Sequence, residues 1–383
     1  TGVSGDTLTV KYISGAYSTT SPYDIKSDSF CTTAAQPYVL RYYSTIATWE
    51  SDSDETALYS NGDTAQGECY ADSALSVTSR ITFNGGNVTD IAKQVLTVPV
   101  GQRHDGTADS GFKVNVAPSD GDPSFFMSYH GGGGVKRTIE WIEIDGGDTD
   151  QSWGTNWAVI TINTGGLQTY AGTVSHTLIH GCHSTREGHG NSYGIIGGIS
   201  AYSYIHNNIV YDCSGKRRTP GIGIGSGVVT NNTVYKIGVT HDDSGGEDSN
   251  EAIGIKVGHS IHTNKNNIAI GTYVEDSSSD GEKHDYLATS TGTVGTYNIS
   301  GDSTASGSDS FTSITAASIF ISTTSGSEDL HILRSSKAVG AGADLGTGVS
   351  YNAGHGNDTA AGGSDYGTPL NRDINNGDRN SRA

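Results

Sequence analysis

His176, His180 and His183 surround Cys182 in the run SHTLIHGCH (175–183), a spacing at which imidazoles and a thiolate hold a transition metal. Alternation along a strand puts His176, His180 and Cys182 on one side. A second pool of chemistry is charge. It is concentrated in three stretches, HSTREGHGNSYGII (183–196), SGKRRTPG (214–221) and GVTHDDSGGEDSNEA (238–252). They carry Arg186, Glu187 and His189, then Lys216, Arg217 and Arg218, then His241, Asp242, Asp243, Glu247 and Asp248. Neighbouring surface excursions of opposite sign neutralise one another, and that plain reading is preferred over a built site. The tail DINNGDR (373–379) alternates oxygen ligands around a glycine, as Ca²⁺-binding turns do, but lacks the downstream bidentate Glu.

The elements that position these groups repeat. IHNNIVYDC (205–213), VTNNTVYKI (229–237) and NKNNIAIGT (264–272) echo one another, with SHTLIHGC (175–182) as an earlier relative. Successive offsets of 31, 24 and 35 residues match one solenoid coil. A second strand, GGIS (197–200), IGIG (222–225) and IGIK (253–256), recurs in step. Two strand families in one cycle without a helical period predict a stacked β-solenoid. In that register Leu178, Ile209, Thr233 and Ile268 stack as a dry core column, and Asn207, Asn231 and Asn266 as an amide ladder. His176 falls on the asparagine column and His180 on that of Tyr211 and Tyr235, so these histidines read as ladder positions rather than ligands. The three charged stretches leave the coil at one corner and stack along one edge.

Composition agrees. Apolar residues are only 33% of the 383, while 54 glycines imply many tight turns between short strands. The net charge of −19 disfavours nucleic acid and anionic membranes as partners and suits divalent cations. No apolar run is long enough to span a bilayer. Cys182 and Cys213 fall one coil apart, about 4.8 Å between strands, within reach of a disulfide. Cys31 and Cys69 form a second candidate pair, and small buried apolar residues are the alternative for all four. Sequons at Asn87, Asn231, Asn298 and Asn357 are candidates for glycosylation in a host that has the machinery.

Along the chain, TLTVKYI (7–13) is the best strand of the lead. Ser44 is placed to cap a short helix with Ile46, Ala47 and Trp49 on its apolar face, before a turn at Asn61, Gly62 and Asp63. Strands are expected at 76–83, 94–99, 112–116, 137–144 and 157–163. The boundaries follow: a lead and capping region at 1–75, the β-helix at 76–345 and a Gly/Asp/Asn-rich tail at 346–383.

The opening STIATWESD…NGD resembles the capping helix and turn of right-handed parallel β-helix proteins, the pectate-lyase-like solenoids of secreted or virion-associated type. The segment DLHILRSSKAVGAGADLG (329–346) is similar to their closing segment, with Lys337 where Pro is usual and Gly340 where Asp is usual. The resemblance implies an all-β, right-handed parallel β-helix with a short N-terminal capping helix. Among its enzymes, carboxylates hold Ca²⁺ against an acidic polysaccharide and a basic side chain removes the proton next to the sugar's carboxyl group. Carried onto this chain, Asp242, Asp243, Glu247 and Asp248 are the metal ligands, and Lys216 or Arg217 the base. No motif specific to a lyase or glycosidase accompanies them. The preferred expectation is a non-catalytic structural protein on an extracellular, cell or virion surface, a fibre, appendage or surface subunit. Its expected partners are copies of itself, a larger particle or polysaccharide. A polysaccharide lyase or hydrolase is the alternative. A carbohydrate-binding adhesin, with Tyr202 and Tyr204 stacking on sugars, is a second.

Overall fold

The computed structural model describes residues 2–4, 7–9, 43–53, 59–83, 91–116, 125–128, 135–147, 150–151, 157–163, 172–184, 192–197, 203–216, 218–240, 251–275, 281–289, 294–343 and 345. It is a parallel β-solenoid with three strands per coil. Face A stacks Thr64–Glu68, Lys93–Thr97, Lys136–Glu140, Gly172–Ser175 and Ser203–His206. Face B stacks Leu75–Val77, Lys113–Val116, Glu143–Asp145, Leu178–His180, Ile209–Gly215, Thr233–Val239, Ile268–Ile270 and Ile299–Ser300. Face C runs from Ile81–Phe83 through Phe125–Ser128, Trp157–Asn163 and Ser192–Gly197 to Glu282–Ala288. The long strands Thr219–Thr230 and Glu251–Lys265 serve face C with their first half and face A with their second.

Within the repeats from 175 to 272 the sequence suggests a turn where face A runs, because its strands there are short and carry polar residues; the strands expected at 94–99 and 137–144 do include face A strands, Lys93–Thr97 and Lys136–Glu140. Expected strands at 76–83 and 137–144 are each two, and the second pair is divided at Trp141. The face C register also differs by two residues from the expected one. Ile222 lies over Ile195 and under Ile255, not between Gly197 and Ile253. A shift of two preserves which side each residue faces, so the alternation survives the error.

From the third coil on, the corner between faces A and B is made by a single residue in the left-handed region, whereas the first two coils cross by the longer segments 69–74 and 98–112. Trp141, His176, Asn207, Asn231, Asn266 and Tyr297 occupy it with φ between 53° and 63°. Asparagine tolerates this conformation because its amide bonds locally. The residue after each corner builds the ladder. Asn208 Nδ2 donates to Asn232 Oδ1 at 3.0 Å, Asn232 to Asn267 at 3.0 Å, and Asn267 to Asn298 at 3.2 Å. The same amides donate back to the carbonyls of Val174, Ile205 and Val229, and their oxygens accept the backbone N–H of the preceding coil. The ladder is thus one residue later than expected, since the first asparagine of each pair is occupied by the corner.

The column Leu178, Ile209, Thr233 and Ile268 stacks in the expected register and continues to Ile299, but it is not the lumen. Glu143 and Lys113 share its row, which marks it as the outer side. The lumen is lined by Val210, Val234 and Ala269 across from Gly194, Gly221 and Gly254. A Cβ on those glycines would stand 2.7, 2.6 and 2.9 Å from the three side chains. Faces B and C therefore touch through a thin apolar layer, which no larger residue than glycine would allow.

Both ends of the stack are closed. Helix α1, Ile46–Asp52, covers the first coil with Ile46 and Trp49, and Trp49 meets Phe83 at 6.0 Å between ring centroids. Its N-cap is Thr45 rather than Ser44, accepting from Thr48 N at 3.1 Å, and Ala47 is exposed rather than on the apolar face. At the far end, Asp302 Oδ2 accepts Asp285 N at 2.9 Å and Thr304 Oγ1 accepts Tyr286 N at 2.8 Å, on the last face C strand. Ser310 Oγ terminates the ladder on Asn298 N at 3.1 Å. Beyond it a 3₁₀ turn, Ala316–Ser318, leads to an antiparallel hairpin, Phe320–Ser322 with Asp329–Ile332, lying on the outside of face B.

Replacing Asn232 with Leu should lower stability by about 3 kcal/mol, because it strands the Asn208 amide and the Ile205 carbonyl without partners in the dry interior. A urea melt should show the midpoint fall with an unchanged slope. A midpoint unmoved within error would rule out the ladder as a principal support.

Candidate functional site

From Leu178 to Ile299 the outer row of face B is buried. The hairpin and the turn-rich segment after it fold back across this row, and a cavity of about 1090 Å³ lies between. Ile209, Thr233, Ile268 and Ile299 form its sheet wall, with Ile321, Leu330 and Ile332 opposite and Asn207, Asn231, Asn266 and Tyr297 along one edge. The roof is held on both flanks. Tyr235 packs on Phe320 at 5.9 Å, Lys236 Nζ donates to Ser325 Oγ at 3.3 Å, and His331 Nε2 contacts Asp105 O at 2.9 Å. The Asn266 amide closes a two-point contact with the backbone of Ala343, at 2.9 and 2.7 Å. Arg334 is exposed and also borders the cavity.

Further along the same corner the column becomes aromatic. His176 stacks on Trp141 with centroids 4.1 Å apart, and Arg103 lies 4.3 Å over the Trp141 ring. His104 Nε2 reaches His176 O at 2.8 Å, and the Asn207 amide lies between the His176 and His206 rings at 3.0 and 3.2 Å. Burial depresses the pKa of both His104 and His206 to about 4. This column is a stacking device, as the alignment of His176 with the asparagines implies.

On the outer side of face B, Glu143 is fully buried and accepts Asp109 N with both oxygens, at 2.9 and 3.0 Å, and His180 Nε2 at 3.1 Å. Lys113 pairs with Asp109 at 2.6 Å and with Asp145 at 3.0 Å. Burial opposes its charge, but the two carboxylates raise its pKa above the usual lysine range. His180 stacks on Tyr211 at 5.2 Å, in the register expected for it. Burial raises the Tyr211 pKa, and Glu328 and Glu143 add to it. His176, His180 and Cys182 do not share a side. His180 is outside with Glu143, His176 is at the corner, and Gly181, at φ 62°, breaks the alternation so that Cys182 joins the inward row of Cys213 and Ile237. Among the described residues no group of three or more His, Cys, Asp and Glu is placed to hold a metal ion.

Cys182 and Cys213 are neighbours across adjacent coils, as their spacing implies, but no disulfide joins them. Each thiol instead donates within its own coil, to His180 O and to Tyr211 O, both at 3.3 Å. Cys69 is buried, which pushes its thiol up to about 12, and its proposed partner Cys31 lies outside the described residues. Asn231 and Asn298 are buried at 1% and 0% exposure, so a glycan on either would displace the corner or the ladder. Asn87 and Asn357 lie outside the described residues, as do Tyr202 and the tail at 373–379. Tyr204 belongs to a buried face A strand rather than to a sugar-facing turn.

The charged excursions do leave one corner, between faces B and C. Arg217, Asp242, Asp243, Glu247 and Asp248 lie outside the described residues, and Lys216 is half-buried at the end of its strand. Next to it Arg218 pairs with Glu251. Lys256 is close by, its pKa lowered first by burial and then by Arg218. Sequence reading singled out neither Glu251 nor Lys256. The KRR run pointed to the region, but only the strand pairing brings position 256 beside it. The roofed cavity was equally hidden, because the closing motif says nothing about which face it covers.

Acid should weaken the aromatic column. Free imidazole titrates near 6.5 and these two near 4, so the unfolded chain binds protons that the folded one refuses. Stability should be complete above pH 6.5 and fall by roughly 3 kcal/mol per histidine as pH drops through 4. Thermal melts from pH 7 to 4 should show this loss, reduced by about half in His104→Gln; equal pH dependence in variant and parent would exclude His104 as a source.

Comparison of the chain with family models, curated proteins and solved structures finds no match.

Proposed function

We propose that the chain is a non-catalytic structural protein of an extracellular, cell or virion surface, working as a rigid, acidic rod that contacts copies of itself or a larger particle. The observation that carries this reading is the internal use of the well-placed carboxylates. A catalytic acid or base needs a lone pair or proton open to substrate. Asp285 has a raised pKa, through burial and the neighbouring Asp302, as an acid catalyst would. Its Oδ1 nevertheless accepts Thr272 N and Oγ1, and its Oδ2 accepts the backbone N–H groups of Gly301 and Asp302. Glu143 is similarly engaged with Asp109 and His180. The closed ends favour lateral association, since Asp302 and Thr304 occupy N–H groups that strand-on-strand stacking would use.

A second reading, a lyase acting on an acidic polysaccharide, is favoured by one feature. Lys256 beside Arg218 has a pKa lowered by burial and then by Arg218, the direction a lysine base requires, and the two cations attract sugar carboxylates. Incubation with uronate polysaccharides, with and without Ca²⁺, separates the two by the ultraviolet absorbance of unsaturated ends. The structural reading expects no product, together with concentration-dependent association by light scattering. Product that disappears in Lys256→Ala would overturn it in favour of the lyase.

A further inference from the structure

The cavity under the C-terminal roof has walls that a loose fit does not explain. Interiors leave few voids wider than a water molecule, whereas about 1090 Å³ is at the upper end of small-molecule sites. The two walls are drawn together on both flanks, at Tyr235 with Phe320 and at Asn266 with Ala343, yet stand apart between them. The sheet row Ile209, Thr233, Ile268 and Ile299 faces Leu330 and Ile332, so the space between the walls is mainly aliphatic, with Thr233 and the corner asparagines as its polar part. A sugar chain fits this poorly, since sugars stack on aromatic faces and, among the described lining residues, Tyr297 is the one Phe, Tyr or Trp. An extended peptide fits no better, because the corner amide of Asn266 is already bonded to Ala343. A hydrocarbon chain matches the walls. Its head group is indicated by charge: in a chain of net −19, Arg334 borders the cavity, is exposed, and forms no ion pair among the described residues.

We propose that this cavity binds a free long-chain fatty acid, its tail between the sheet row and the roof and its carboxylate on Arg334. The site is independent of whether the protein is structural or a lyase. The test uses the full chain and cis-parinaric acid, whose fluorescence rises in an apolar site. Saturable binding should be displaced by palmitate, and methyl palmitate should compete about tenfold less well for lack of the charge-assisted bond. Arg334→Glu should weaken binding about tenfold or more, and Ile332→Trp, which fills the space from the roof, should abolish it; circular dichroism checks that each variant is folded. Palmitate should also raise the melting temperature of the parent. Failure of palmitate to displace the probe would overturn the proposal. So would equal affinity in both folded variants, or capture by anionic phospholipid vesicles without competition from free palmitate, which would place the contact at a lipid surface.

Discussion

A single backbone conformation, repeated at one corner, organises this molecule. From the third coil on, the chain turns from face A to face B through one left-handed residue, and an L-residue held there costs on the order of 1 kcal/mol unless its side chain compensates. Asn207, Asn231 and Asn266 take the position directly, while Trp141 and His176 take it by stacking on each other. After the asparagine corners the next residue offsets the turn with an amide that bonds the coils on either side. Because each amide needs the next coil in register, the ladder makes coil stacking cooperative.

The lumen is correspondingly thin. Val210, Val234 and Ala269 touch a row of glycines, so the interior supplies little apolar burial per coil. From Leu178 onward the outer row of face B makes up part of the difference by being largely apolar too, which requires a cover. The C-terminal hairpin and the segment to Ala343 supply it. A β-solenoid of polar composition thus has two apolar layers, one inside the coil and one between coil and roof, and the second is where an unfilled volume remains.

Polar chemistry is used in the same economical way. Asp302, Thr304 and Ser310 occupy N–H groups of the last coil at Asp285, Tyr286 and Asn298, and Ile46 and Trp49 cover the core of the first. The ionisable groups left less constrained gather at the corner between faces B and C, around Arg218, Glu251 and Lys256.

Much of the architecture was legible because stacked coils must repeat the residues that touch. The NN pairs, the offsets between them and the column from Leu178 to Ile268 follow from that need alone, and so does the capping helix, whose Ile46 and Trp49 precede a turn. What a repeat does not carry is direction. Whether Ile209 faces the lumen or the outside depends on where the chain bends, and a left-handed residue such as Gly181 or Asn207 changes the side without changing the spacing. Within the repeats face A is hidden for a related reason, since its short polar strands there alternate no more clearly than turns do. Lys256 comes beside Arg218, and Arg334 comes to the cavity over Ile268, through contacts between distant segments. Local composition determined the coil; the tertiary structure decided which side of it was covered, because burial of Ile209 through Ile299 depends on a segment around Leu330, about 30 to 120 residues further along the chain.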